Sequence, residues 1–161
     1  LDRVADPGNA GTIIRSADAM GAGGVVLTAG SVDPHNGKCV RSTAGSIFHL
    51  PIATGAEPDE VIAACRAAGI GIVLADAHAR DALDDRQDLL RSPAAWVFGS
   101  EAHGVDSAWQ ADAAGVVRIP MTGHAESLNL AAAAAICLYA TERARAQGRD
   151  QSPADTGRFE A

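Results

Sequence analysis

RIPMTGHAESLNLAAA, residues 118 to 133, joins two kinds of chain. Val116 to Ile119 is short and, apart from Arg118, apolar, and reads as a strand of a mostly parallel sheet. From about Ser127 the sequence turns to alanine, with Ile136, Leu138 and Tyr139 among them, and reads as a long helix to Ala146. Pro120 and Gly123 break both patterns between the two. The helix start carries Glu126, Ser127 and Asn129, although a cap needs only one side chain. The surplus suits a polar ligand; plain capping remains an equal account of the pattern.

Upstream, apolar strands alternate with helices. Leu1 to Ala5 reads as a strand, followed by a helix from Asn9 to Met20 on which Ile13, Ile14, Ala17 and Met20 recur at helical spacing. Val25 to Leu27 is a second strand and Phe48 to Ile52 a third, with the loop SVDPHNGKCVRSTAG between them. Pro58 opens a helix to Ala68, with Asp59 and Glu60 where the helix dipole favours acids. Ile70 to Ala75 and Ala94 to Phe98 complete the strands, and the polar stretch 79–92 is expected at the periphery. The alternation predicts an α/β fold with a mostly parallel sheet flanked by helices. Ligands of such sheets bind beyond the carboxyl ends of the strands, so chemistry is expected in the loops that follow them.

The 161 residues, 47% of them apolar, suffice for one globular domain. No apolar run approaches the roughly 20 residues of a membrane span, and no signal peptide is visible. Three cysteines without CxxC spacing point to a reducing, cytoplasmic setting, and the five histidines lack metal-binding spacing, so no metal is expected. The net charge of −7 argues against nucleic acid as a partner. Its distribution softens that argument: Arg3, Arg15, Lys38 and Arg41 balance four aspartates within residues 1–48, and the acidic excess lies further on. The domain is expected to span residues 1–146, with a polar, flexible tail over 147–161 and an RNA-binding segment ahead of Leu1 that this chain lacks.

Two further loops carry signal. In DPGNAGTIIRSADAMGA, residues 6 to 22, Asn9 and Gly11 stand at a helix start, where glycine admits close backbone approach and the helix end favours an anion. Arg15 follows near the edge of the apolar face; a capped helix with one solvated arginine fits the same pattern. In VFGSEAHGV, residues 97 to 105, an apolar strand runs into Gly99, Glu101 and Gly104, and Asp106 can cap a short helix beyond. By itself this GxExxG is weak, and it is not the GxSxG elbow of hydrolases.

Taken in order, NxGxxxR, GxExxG after a strand, and IPMxGxxxSLN at the last helix resemble the three motifs of the SpoU (TrmH) branch of the SPOUT methyltransferases, over Pro7 to about Arg143. The resemblance implies transfer of a methyl group from S-adenosylmethionine to a ribose 2′-hydroxyl of RNA, with S-adenosylhomocysteine as product. It implies a C-terminal deep trefoil knot, which topology rules alone would disfavour, and a homodimer. Residues 30–52 resemble the ribosomal-RNA members more than the short transfer-RNA enzymes. The catalytic positions fall on Asn9, Arg15, Glu101, Ser127 and Asn129. The cofactor pocket falls on Ala75 and Asp76, on Phe98, Gly99 and Ser100, and on Ile119, Met121, Ser127 and Leu128. Arg15, Lys38 and Arg41 would contact RNA phosphates.

A guanidinium, with a pKa above roughly 12, offers donors only. Arg15 is therefore expected to clamp a phosphate rather than act as a literal base, and Glu101 to orient Arg15 or Asn129. Two rivals stand beside this reading: a transfer-RNA ribose methyltransferase, and a catalytically silent RNA-binding module. A mononucleotide-binding domain is disfavoured, since GxGxxG and a P-loop are absent.

Overall fold

A computed structural model describes residues 1–100 and 104–150. The chain runs α1 (Pro7–Ala19), β1 (Val25–Thr28), α2 (Gly37–Thr43), β2 (Ile52–Ala56), α3 (Pro58–Ala67), β3 (Gly71–Ala75), β4 (Asp81–Ala82), α4 (Gln87–Arg91), β5 (Ala94–Val97), β6 (Ala113–Arg118) and α5 (Leu130–Asp150). Short 3-10 turns lie at Ser46–Phe48, Leu83–Asp85 and Ser107–Asp112.

One sheet has the order β4-β6-β3-β5 and a second pairs β1 with β2, all in parallel. Residues 1–4 stitch the two together. Thr28 N donates to Leu1 O (3.0 Å) on one side, and Asp2 N donates to Phe98 O (2.9 Å) on the other. The expected strand over Leu1 to Ala5 thus appears as a single parallel bridge, Asp2 to Gly99, at the seam. The buried Asp2 carboxylate accepts from Thr28 Oγ1 (3.2 Å) and from Asp106 N (3.0 Å), tying β1 to the loop after β5.

The central strand β3 is short and apolar because both its faces are covered. Successive side chains alternate between faces. Ile72, Leu74 and Val97 meet Ile62 of α3 and Trp109 on one side. Val73, Phe98 and Val117 meet α1, α4 and α5 on the other, through Ile13, Leu89, Leu90, Ala134 and Cys137. Alanines in α5 let that helix lie close to the sheet. Trp96 Nε1 donates to Thr141 Oγ1 (3.0 Å), which itself donates to Cys137 O, fixing the register of α5. Burial pushes the Cys137 thiol up to about 12.

Several expectations are corrected. The loop 31–45 contains helix α2, capped by Asn36, whose side chain accepts from Lys38 N. The strand expected over Phe48 to Ile52 starts only at Ile52, because Ser46–Phe48 is a 3-10 turn. The stretch 79–92 is polar on average yet inserts Leu83, Leu89 and Leu90 into the core. Helix α5 starts at Leu130 rather than Ser127 and continues past Ala146 to Asp150, its last turns carrying an Arg149–Glu142 ion pair (2.7 Å). The remaining tail, 151–161, lies outside the described residues. No helix among the described residues is long and apolar enough to cross a membrane.

Candidate active site

The carboxyl ends of β3, β5 and β6 open into one cleft of about 480 Å³. After β3, Asp76 N donates to Val117 O (3.0 Å), and the Asp76 carboxylate accepts from His78 N (2.8 Å), which turns the chain along the cleft wall. After β5, Phe98 and Gly99 lead to Ser100, which pairs in an antiparallel bridge with Gly104. Gly104 N donates to Ser100 O (2.8 Å). A Cβ at Gly99 would fall onto the Gly104 backbone, so glycine is required there by the crossing of the chain. After β6, Ile119 and Met121 form a third wall, and Ser127 and Leu128 close it before α5 begins.

All nine residues expected to form the cofactor pocket line this one cleft: Ala75 and Asp76; Phe98, Gly99 and Ser100; Ile119, Met121, Ser127 and Leu128. Lining residues that the motifs did not mark include His78, Val105, Val117, Leu130 and Ala133. Most are sequence neighbours of marked positions. Ala133 lies one helical turn beyond Leu130, a spacing that could have revealed it. Asp76 is the single acid lining the cleft among the described residues.

Motif-one and motif-three residues meet beside the cleft. Asp6 caps α1, its side chain accepting from Asn9 N (2.7 Å), and Pro7 presets the first helical turn. That backbone bond, helped by Lys38 at 3.3 Å, holds the Asp6 carboxyl below its ordinary range. Asn129 Nδ2 donates to Asn9 Oδ1 (3.0 Å), while Asn129 Oδ1 accepts from Ala131 N (3.0 Å) and Ala132 N (3.3 Å). Asn129 is therefore the cap of α5, and Ser127 is left to the cleft.

Gly11 has a different role from the one expected. A Cβ there would stand 2.6 Å from Ser42 Cβ, so this glycine lets α2 press onto α1 rather than a ligand approach the backbone. Arg15 is exposed on α1 and forms no ion pair among the described residues. Arg41 is likewise exposed, whereas Lys38 is paired with Asp6. Glu101 lies outside the described residues. No group of three or more His, Cys, Asp or Glu side chains able to hold a metal occurs among the described residues.

Comparison with known proteins agrees with this geometry. The chain is 41% identical to a 23S rRNA uridine 2′-O-methyltransferase of Streptomyces viridochromogenes, over 92% of its own length and 53% of that protein's. It is 39% identical to a 23S rRNA guanosine 2′-O-methyltransferase of Bacillus subtilis, over 86% of this chain and 55% of that one. The chain thus spans about half the length of these curated relatives. The crystal structure of the Streptomyces viridochromogenes SpoU methyltransferase AviRb with its cofactor AdoMet superposes with a TM-score of 0.84 at 41% identity, covering 91% of this chain and 59% of that one. The model of the SpoU rRNA methylase family matches residues 1–139, which include every residue that lines the cleft among the described residues. On that match and these identities, the chain belongs to the SpoU rRNA methylase family.

Proposed function

We propose that this chain is the catalytic domain of an enzyme that methylates a ribose 2′-hydroxyl of ribosomal RNA, using S-adenosylmethionine. The observation that carries the reading is the convergence of three distant segments on one cleft, with Asn9 and Asn129 joined at its edge. The cleft's size suits a small cofactor. Met121 and Leu128 stand partly exposed at its wall, as apolar groups awaiting a ligand do.

Bound S-adenosylmethionine supplies the methyl group as an electrophilic sulfonium. The chain's task is to hold the hydroxyl in line with it, which is the larger part of the catalysis. Ser127 and Asn129 orient the ribose, and Asn9 fixes the Asn129 amide. Arg15, unengaged by any carboxylate among the described residues, clamps an RNA phosphate, and that phosphate or water assists proton removal. Glu101 orients Arg15 or Asn129. Lys38 and Arg41 extend the phosphate contacts along α2. For the C-terminal part this reading carries the trefoil knot that the family resemblance implies.

The working unit in this reading is a cytoplasmic homodimer. Ala132, Ile136 and Tyr139 form an apolar stripe on the solvent side of α5, with Tyr139 53% exposed, and a second copy would cover it.

Calorimetric titration of S-adenosylmethionine and S-adenosylhomocysteine tests the cleft, and methyl transfer by the full-length protein to ribosomal and transfer RNA tests the substrate. Binding of both ligands with transfer to ribosomal RNA is expected. Transfer to transfer RNA alone would replace the substrate, and absence of ligand binding by the full-length protein would overturn the enzyme.

A further inference from the structure

Phe48 is 83% exposed, the largest exposure among the big apolar side chains described. It does not belong to a loose loop. Ala44 and Gly45 take left-handed backbone (φ 50° and 99°) and reverse the chain out of α2 into the 3-10 turn Ser46–Phe48. Ser46 is buried against Asp18 of α1 and helps hold that carboxyl below its ordinary range, and His49 Nδ1 pairs with Asp18 Oδ2 at 2.8 Å. Phe48 is thus held between two residues anchored on one carboxylate, with its ring in solvent. A ring presented this way makes no contribution to the core.

The surroundings specify what could cover it. Gly11, Arg15 and Asp18 share one face of α1. Gly11 abuts α2, Asp18 anchors the 3-10 turn, and Arg15 projects between them, exposed. Arg41 is exposed on α2. An exposed aromatic ring on a turn packed against α1 and α2, which carry exposed arginines free of ion pairs among the described residues, matches single-stranded nucleic acid, whose bases stack while its phosphates pair with arginine. It matches an apolar protein surface poorly, because the cations would lose their solvation without compensation.

We propose that Phe48 is the stacking platform for an unpaired base of the RNA substrate, held in register by a phosphate on Arg15; this rests on the RNA-methyltransferase reading. The site would accept a splayed loop or bulge and would reject a duplex, whose bases offer no free face.

The test uses full-length protein as wild type, Phe48→Ala, Phe48→Leu and Phe48→Trp. Its readouts are fluorescence anisotropy with a labelled single-stranded RNA and the same sequence as a duplex, KM and kcat on ribosomal RNA, and sedimentation for the oligomeric state. Phe48→Ala and Phe48→Leu are expected to weaken single-strand binding and raise KM by about five- to a hundredfold, with duplex binding and sedimentation unchanged. Phe48→Trp restores both. Unchanged single-strand affinity in Phe48→Ala, failure of Phe48→Trp to rescue, or a change of oligomeric state would each overturn the proposal, the last by assigning Phe48 to a protein interface. If the wild type transfers no methyl to RNA, the enzyme reading falls separately, and anisotropy still decides Phe48; a wild type that binds no single-stranded RNA overturns the platform too.

Discussion

Asn129 and Asn9, 120 residues apart, share a hydrogen bond of 3.0 Å in which Asn129 Nδ2 donates to Asn9 Oδ1. The other end of the same amide caps α5. One side chain thus sets the start of the last helix and ties it to the first. Asn129→Ala should lose both functions and about 1–2 kcal/mol of stability. Asn129→Asp keeps the capping oxygen, favourably charged at a helix start, but cannot donate to Asn9. It should unfold near the wild-type temperature yet transfer methyl as poorly as the alanine variant. Thermal unfolding beside a methyl-transfer assay separates the two effects.

Arg15 offers the opposite case. It is exposed and unpaired among the described residues, so Arg15→Ala should alter stability by less than about 0.5 kcal/mol. Methyl transfer should fall by about a hundredfold or more, as when a donor that stabilises the transition state is removed. Calorimetric affinity for S-adenosylmethionine should be unchanged. A destabilised Arg15→Ala protein would show that the arginine serves the fold.

Glycines in helices divide by surroundings. At Gly11 an added methyl group meets α2, and Gly11→Ala should cost about 1–3 kcal/mol by overpacking. At Gly148, within α5, nothing lies within 4 Å of the added carbon, and Gly148→Ala should stabilise by about 0.5–1 kcal/mol. Urea unfolding of both variants checks the signs.

Filling the cleft is best done from α5. Ala133 is half-buried and lines it, so Ala133→Phe should abolish the heat of S-adenosylmethionine binding while changing stability by about 1 kcal/mol or less. Substitution at Gly99 is a poorer probe, because the side chain would disrupt the crossing with Gly104 as well as the pocket. Retained binding in Ala133→Phe would move the cofactor elsewhere.

Acid should loosen the start of α1. The Asp6 carboxyl is held below its ordinary range, first by Asn9 N and then by Lys38. A pKa lowered in the folded state gives stability that is complete above the unfolded value and is lost as pH falls through the folded one. Amide exchange at Asn9 should therefore accelerate as pH drops below about 4, beyond the intrinsic pH dependence of exchange. Asp6→Asn, which keeps a capping oxygen without the charge, should flatten that response.

The sequence disclosed the cleft well because its walls are short motifs at the ends of apolar strands, where spacing and residue type survive without tertiary information. It disclosed α2 poorly: seven residues starting at glycine are too few for helical periodicity to register. Phe48, Leu50 and Ile52 alternate as a strand would, but Ser46 and His49 bind Asp18 and hold a turn instead. Leu83, Leu89 and Leu90 are hidden among acids and arginines, which coat the outer side of a segment whose inner side is core. The role of Gly11 could not be read at all, since close packing of α1 on α2 leaves no local trace.

The cleft's walls come from residues near 76, near 99 and from 117 to 133. During synthesis, which proceeds from the N-terminus, the earlier strands can pair while the last wall is still unmade. On the proposed reading, a nascent chain has no complete cleft to offer a methyl donor until Ala133 has emerged. Any help to folding from a ligand in the cleft would come only after the chain is nearly complete, and a truncation ahead of α5 should leave the cleft without its last wall.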